Sequence, residues 1–167
     1  QLIRFEELIE ADAPMQDVLP SIYYANIDKY KGYHIRQLCQ EMHDFYKDRQ
    51  VSTLQERLFL HDYFPEYVLN PQDANFEFQR GKGELVPLDE AEGRIALEGA
   101  LPYPPGVLCV QPGERWSKTA CDYFLALQEG INKLPGFAPE IQGVYITPQP
   151  DGTKKAYGYV LKKEFEK

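Results

Sequence analysis

The sequence predicts an α+β fold in which N-terminal and central helices pack on a small, mostly antiparallel sheet that ends in a C-terminal hairpin. Three observations carry this. Apolar residues recur at helical spacing through the first third and again from about residue 117 to 134. Breaking residues crowd the stretch between them, and the closing strand-like residues are split by Asp151-Gly152. No strand-helix-strand register repeats, so a doubly wound sheet is not expected.

In chain order, Asp12-Ala13-Pro14 resembles a cap followed by a first-turn proline, launching a short helix through Met15, Val18 and Leu19 that Pro20 stops. An aromatic stretch from Tyr23 to Tyr30 leads to turn chemistry at Lys31-Gly32. From 34 to about 48, Ile35, Leu38, Cys39, Met42 and Tyr46 share one helix face. Leu54, Leu58 and Phe59 suggest a further short helix ending before Phe64-Pro65. Asn70-Pro71-Gln72-Asp73 sets a cap, a first-turn proline and an acid facing the positive end of the helix dipole; Gly81-Lys82-Gly83 stops that helix.

Leu85, Val86 and Leu88 read as a strand that Pro87 confines to a sheet edge. Amid the breakers from Gly93 to Gly113, residues 107–110 have the composition of a buried strand. From Ser117 onward Ala120, Tyr123, Phe124, Leu127 and Ile131 make one stripe, extended by Leu134 and ended by Pro135-Gly136. Residues 144–147 and 156–161 form the hairpin arms. The best candidate boundary, near 48–53, does not resemble a flexible linker, and the chain is treated as one domain.

At 43% hydrophobic and 26% charged, these 167 residues are enough for a core. A net charge of −8 repels a phosphate backbone, so nucleic acid is not an expected partner. No apolar run approaches the roughly 20 residues of a membrane span, and the acidic first residues do not suit a signal peptide. The three cysteines, Cys39, Cys109 and Cys121, lack metal spacing and lie among apolar neighbours, which suggests buried, reduced thiols in a cytoplasmic protein. The chain turns apolar at Leu2 with no polar leader after Gln1, as a fragment of a longer chain would.

Candidate chemistry is sparse. Cys39 and His43 stand four apart, but a metal needs further ligands and none is near; no metal is expected. Asp89, Glu90, Glu92 and Glu98 form an acidic cluster that reads as a solvated face. Arg94 and Glu98 would share a face, as a modest surface ion pair, if their segment were helical. Tyr103-Pro104-Pro105-Gly106, flanked by apolar residues, reads as a rigid crossing within the domain rather than an exposed polyproline ligand. A nucleophile elbow, a phosphate loop and a dinucleotide fingerprint are all missing, so the chain is not expected to carry chemistry alone.

Residues 91–114, AEGRIALEGALPYPPGVLCVQPGE, resemble the signature of the C-terminal domain of the bacterial ornithine/lysine/arginine decarboxylases. The similarity extends to Leu19-Pro20-Ser21, Tyr33-His34-Ile35-Arg36, Asn70-Pro71-Gln72-Asp73-Ala74, Leu134-Pro135-Gly136-Phe137 and Ile141-Gln142-Gly143, nearly the whole chain. The form around the Pro-Pro-Gly is most like the ornithine members. The resemblance implies decarboxylation of L-ornithine to putrescine and CO2 in the cytoplasm, with pyridoxal 5'-phosphate as electron sink. The family's Schiff-base lysine follows a histidine in the larger cofactor domain; no lysine here does, so that residue and the cofactor contacts do not carry over.

Residues 1–167 would then be a fragment, the C-terminal domain of a larger decarboxylase, covering the active-site channel and supporting a homodimer or higher oligomer. The proline-stiffened crossing at 101–106 is the element expected near the channel. Toward a cationic amino-acid substrate the candidates are Glu98 for charge attraction, Tyr103 as a hydrogen-bonding aromatic wall and Arg94 as an orienting partner. The alternatives are a free-standing binding or regulatory module of this fold, or the same domain from a lysine or arginine decarboxylase.

Overall fold

Four short helices open the molecule because prolines and turns repeatedly interrupt an otherwise helical, aromatic sequence. The computed structural model describes residues 2–103 and 106–166; Gln1, Pro104, Pro105 and Lys167 lie outside them. Helices α1 (Leu2–Glu10), α2 (Met15–Val18), α3 (Pro20–Ala25) and α4 (Ile27–Tyr30) lead to α5 (Ile35–Asp48). Pro20 starts α3 rather than merely stopping α2, since a first-turn proline has no needed N–H to lose. Asp12 does not cap α2, whose cap position is Pro14. Its carboxylate instead accepts from the Arg36 N–H at 3.1 Å, and the Ala13 carbonyl accepts from the Ile35 N–H at 3.0 Å. Asp12 thus closes the start of α5, a helix more than twenty residues away in sequence.

The inward row of α5 is Ile35, Leu38 and Phe45, with Met42 half-buried between them, while Cys39 falls on the flank and is exposed. The expectation of a buried thiol fails there because the row spaced three and four apart passes beside it. Helix α6 (Val51–Arg57) follows, then α7 (Pro71–Gln79), whose Asn70 side chain accepts from the Asp73 N–H at 2.9 Å as the cap chemistry predicts. Helix α8 (Lys118–Lys133) is capped by Ser117 and buries Ala120, Tyr123, Phe124, Leu127 and Ile131.

The sheet has the order β1-β5-β4, antiparallel throughout, with β1 (Gly83–Pro87), β4 (Tyr145–Pro148) and β5 (Lys154–Leu161). Pro87 sits on an edge strand, where its missing N–H costs no ladder bond. A second pair joins β2 (Leu101–Tyr103) to β3 (Glu140–Gln142). Residues 107–110 do not form the expected strand. Only its end finds a partner: Val110 bridges Ala100 and Cys109 donates its N–H to the Ala100 carbonyl at 2.9 Å, while Val107 and Leu108 are exposed. The pairing does not extend past Val110, because Pro112 has no N–H to give and the chain turns, with Glu114 donating its N–H to the Gln111 carbonyl at 3.1 Å.

Nor is 91–100 helical. Ala96 donates its N–H to Glu114 O at 2.8 Å, Leu97 to Tyr159 O at 3.0 Å, and Ile95 O accepts from Leu161 N at 2.8 Å. This extended segment is clipped between β5 and residues 114–116, so its consecutive apolar side chains are all buried. The main core gathers Leu88, Val110, Trp116, Phe124, Ala156 and Val160, with Trp116 and Phe124 edge to face at 5.8 Å. Each such large side chain contributes about 1.5–3 kcal/mol on burial. A second cluster joins Met15, Tyr30, Ile35 and Leu38 to Leu134, and Tyr30 donates its hydroxyl to the Pro135 carbonyl at 2.8 Å, tying the N-terminal helices to the end of α8. Among the described residues no helix is long and apolar enough to cross a membrane.

Candidate functional site

Glu98 ends the clipped 94–97 segment, and the chain next to it, Gly99, is approached by Gly143, which precedes β4 in a left-handed conformation (φ 73°). A Cβ on Gly143 would strike the Gly99 carbonyl, so two backbones meet where side chains cannot intervene. That approach places Tyr145, two residues on, against Glu98: the phenol donates to Glu98 Oε2 at 2.7 Å. The Tyr145 ring packs edge to face on Tyr159 at 5.4 Å, and Tyr159 likewise on Phe78 at 5.0 Å. The Glu98 carboxylate beside it, and then burial, push the Tyr145 phenol up to about 12, so it remains a donor at neutral pH. A half-buried carboxylate held by a hydroxyl on an aromatic wall is a fitting seat for an ammonium group.

Tyr103 is not joined to this pair. It ends β2 opposite Glu140, exposed, four residues along the strand from Gly99 or about 13 Å at the usual rise. Its neighbours Pro104 and Pro105, the stiffest part of the expected crossing, lie outside the described residues.

Arg94 and Glu98 do not pair. Arg94 is only 9% exposed, and its guanidinium donates to Glu166 Oε1 at 2.9 Å, Glu84 Oε1 at 2.6 Å and the Leu161 carbonyl at 2.6 Å. Burial draws its pKa down, but the hydrogen bonds to Glu84 and Glu166 outweigh that and hold it above the ordinary value. Arg115 adds an ion pair to Glu66 at 2.9 Å and stands 3.7 Å from Glu166. The partners Glu84, Glu166 and Tyr145 carry no local signal in the sequence; only the fold brings them to Arg94 and Glu98.

The acidic cluster separates: Asp89 pairs with Lys155 at 3.1 Å, while Glu90 and Glu92 are exposed and away from Glu98's hydrogen bond. Burial pushes the Cys109 thiol up to about 11 and, with Glu92 adding to it, that of Cys121 to about 12. No described lysine is buried. Lys29, half-buried, is pulled down by desolvation but raised on balance by its bonds to Glu41 and Tyr33, opposite to what Schiff-base chemistry requires.

Residues 52–162 match the family model for the Orn/Lys/Arg decarboxylase, C-terminal domain, which is two thirds of the chain. The chain belongs to the Orn/Lys/Arg decarboxylase family. It is 64% identical to the ornithine decarboxylase of Haemophilus influenzae over 96% of its length, and 58% identical to the inducible ornithine decarboxylase of a Lactobacillus species over 100%. Its fold is similar to that of lysine decarboxylase A from Pseudomonas aeruginosa, with a TM-score of 0.87 at 32% identity over 96% of this chain. The chain spans 22–23% of the length of these relatives. In this member of the family the signature residues at 91–114 therefore do two structural jobs: Arg94 to Leu97 lock the sheet to the 114–116 segment, and Glu98 leaves that lock facing Tyr145.

Proposed function

We propose that residues 1–167 are the C-terminal domain of a pyridoxal-phosphate-dependent ornithine decarboxylase, working in the cytoplasm as a dimer or larger assembly and converting L-ornithine to putrescine and CO2. The observation that carries this reading is the gap between 58–64% identity to ornithine decarboxylases and 32% to a lysine decarboxylase. Three free thiols suit a reducing compartment. This chain's own residues do not fit the cofactor: no described lysine is buried, and none in the sequence follows a histidine. The cofactor is therefore assigned to the rest of the enzyme.

Within that reading, Glu98 supplies negative charge along the path of the diammonium substrate, with Tyr145 holding the carboxylate in place and Tyr103 as an aromatic wall further along. Arg94 positions Glu98 indirectly, by fixing the segment on which it rides. In the full-length enzyme Glu98→Gln, which keeps an acceptor for Tyr145, is expected to raise KM for ornithine about 2–5-fold at unchanged kcat, the size of one partly solvated charge interaction. An unchanged KM removes Glu98 from the path.

The reading itself is tested by kcat/KM of the full-length enzyme for ornithine and for lysine, which differ by one methylene. A preference of about 10–200-fold for ornithine is expected, the range one methylene gives in a fitted pocket. Equal rates, or a preference for lysine, would overturn the assignment.

A further inference from the structure

Between the end of α6 and residues 102 and 107–109 lies a cleft of about 310 Å³. Leu58, Phe59, Pro102, Val107, Cys109 and Tyr123 line it, with Gln55 and Glu56 at its polar margin. Its floor is satisfied, since Gln55 donates to the Tyr123 hydroxyl at 3.0 Å, so an occupant need bring no charge. Its rim is open to water: Phe59 is 51% and Val107 45% exposed. The apolar exposure continues past Phe59 into Leu60 and Phe64 and past Val107 into Leu108. In a chain with 44 charged residues, such a run of exposed apolar side chains is costly unless something covers it.

We infer that this cleft is the seat of the rest of the decarboxylase polypeptide, which lays an apolar segment between Phe59 and Val107. The inference rests on the functional reading above and adds the face by which the domain is held. Nearly four fifths of each relative lies outside the region matched here, since the chain covers 22–23% of them. A segment of the same polypeptide is present at millimolar effective concentration, so a patch of this size is enough to hold it. A second copy of this domain would meet the cleft only at its free concentration, without the tethering that holds a segment of the same polypeptide nearby. It would also need roughly 800 Å² on each partner.

The test places the photoreactive residue p-benzoylphenylalanine at Phe59, and separately at Val107, in the full-length enzyme, with the hairpin tip Asp151 as reference. Both positions are exposed, so the folded chain can accept the probe. After irradiation and peptide mapping, the expected result is crosslinking to polypeptide outside this domain, at least about tenfold above the yield from Asp151, as a held segment requires. Crosslinks confined to this domain of a second copy, or a yield no higher than from Asp151, would overturn the inference. Ornithine turnover by the enzyme without the probe is measured in parallel. Crosslinking to the expected region without turnover sinks the functional reading and leaves the docking face standing, whereas turnover without that crosslinking sinks the docking face alone.

Discussion

Arg94→Ala is expected to lower the folding stability of the domain by about 3–5 kcal/mol, the cost of stripping one partner from a buried charged cluster. The guanidinium is 9% exposed and serves two carboxylates and a carbonyl. Its loss leaves the buried Leu161 carbonyl without that donor and Glu166 with only the looser Arg115 at 3.7 Å. Glu84 is less affected because its side chain is 41% exposed and can turn to water, which favours the lower half of the range. Arg94→Lys should recover a minor part, since an ammonium cannot present the planar fork that reaches three acceptors at once. Arg94→Met with Glu166→Gln should recover more than either change alone, because both charges are then gone together. Urea denaturation measures each step; a loss below about 1 kcal/mol for Arg94→Ala would mean the cluster is solvated like an ordinary surface pair.

Such clusters explain which parts of the fold the sequence could and could not announce. Asn70-Pro71 caps α7 and Ser117 caps α8 through atoms three residues apart, so the sequence shows both caps directly. Asp151-Gly152 turns the hairpin, and Pro87 lies on an edge, for equally local reasons. Asp12 has the right chemistry for a cap but serves α5 instead of α2, because the backbone bonds of residues 13–15 to 33–35 carry it there. Arg94 and Glu98, spaced for a helix, lie on an extended segment whose partners, Glu114, Tyr159 and Leu161, are up to 67 residues away. The site candidates show the same division. Glu98 is half-buried beside an aromatic wall, but Tyr145, which holds it, is 47 residues distant and shares no motif with it.

Gly143→Ala is the substitution that tests how that distant pair is brought together, and it is expected to cost about 2–5 kcal/mol. Left-handed backbone costs a residue with a Cβ about 1–2 kcal/mol, and forcing atoms into a closed contact about 1–3 kcal/mol more. Both apply, since Gly143 has φ 73° and its added Cβ would collide with the Gly99 carbonyl, which is backbone and cannot rotate away. Gly152→Ala separates the two contributions: φ there is 85°, but nothing lies within 4 Å of the added Cβ, so only the conformational part remains. The chain can relieve the Gly143 collision only by moving Gly143 and Gly99 apart, and Tyr145 and Glu98 with them. The phenol would then lose the carboxylate that chiefly raises it to about 12, and would titrate closer to 10, as phenolate absorbance during alkaline titration will show. The sign follows for stability. A phenol raised by folding stabilises the native state below its unfolded value near 10, and that stabilisation is lost as pH rises toward 12. The variant should therefore lack this part of the alkaline decline. If Gly143→Ala costs no more than Gly152→Ala and leaves the tyrosine titration unchanged, the meeting of Gly143 with Gly99 is not what holds Glu98 against Tyr145.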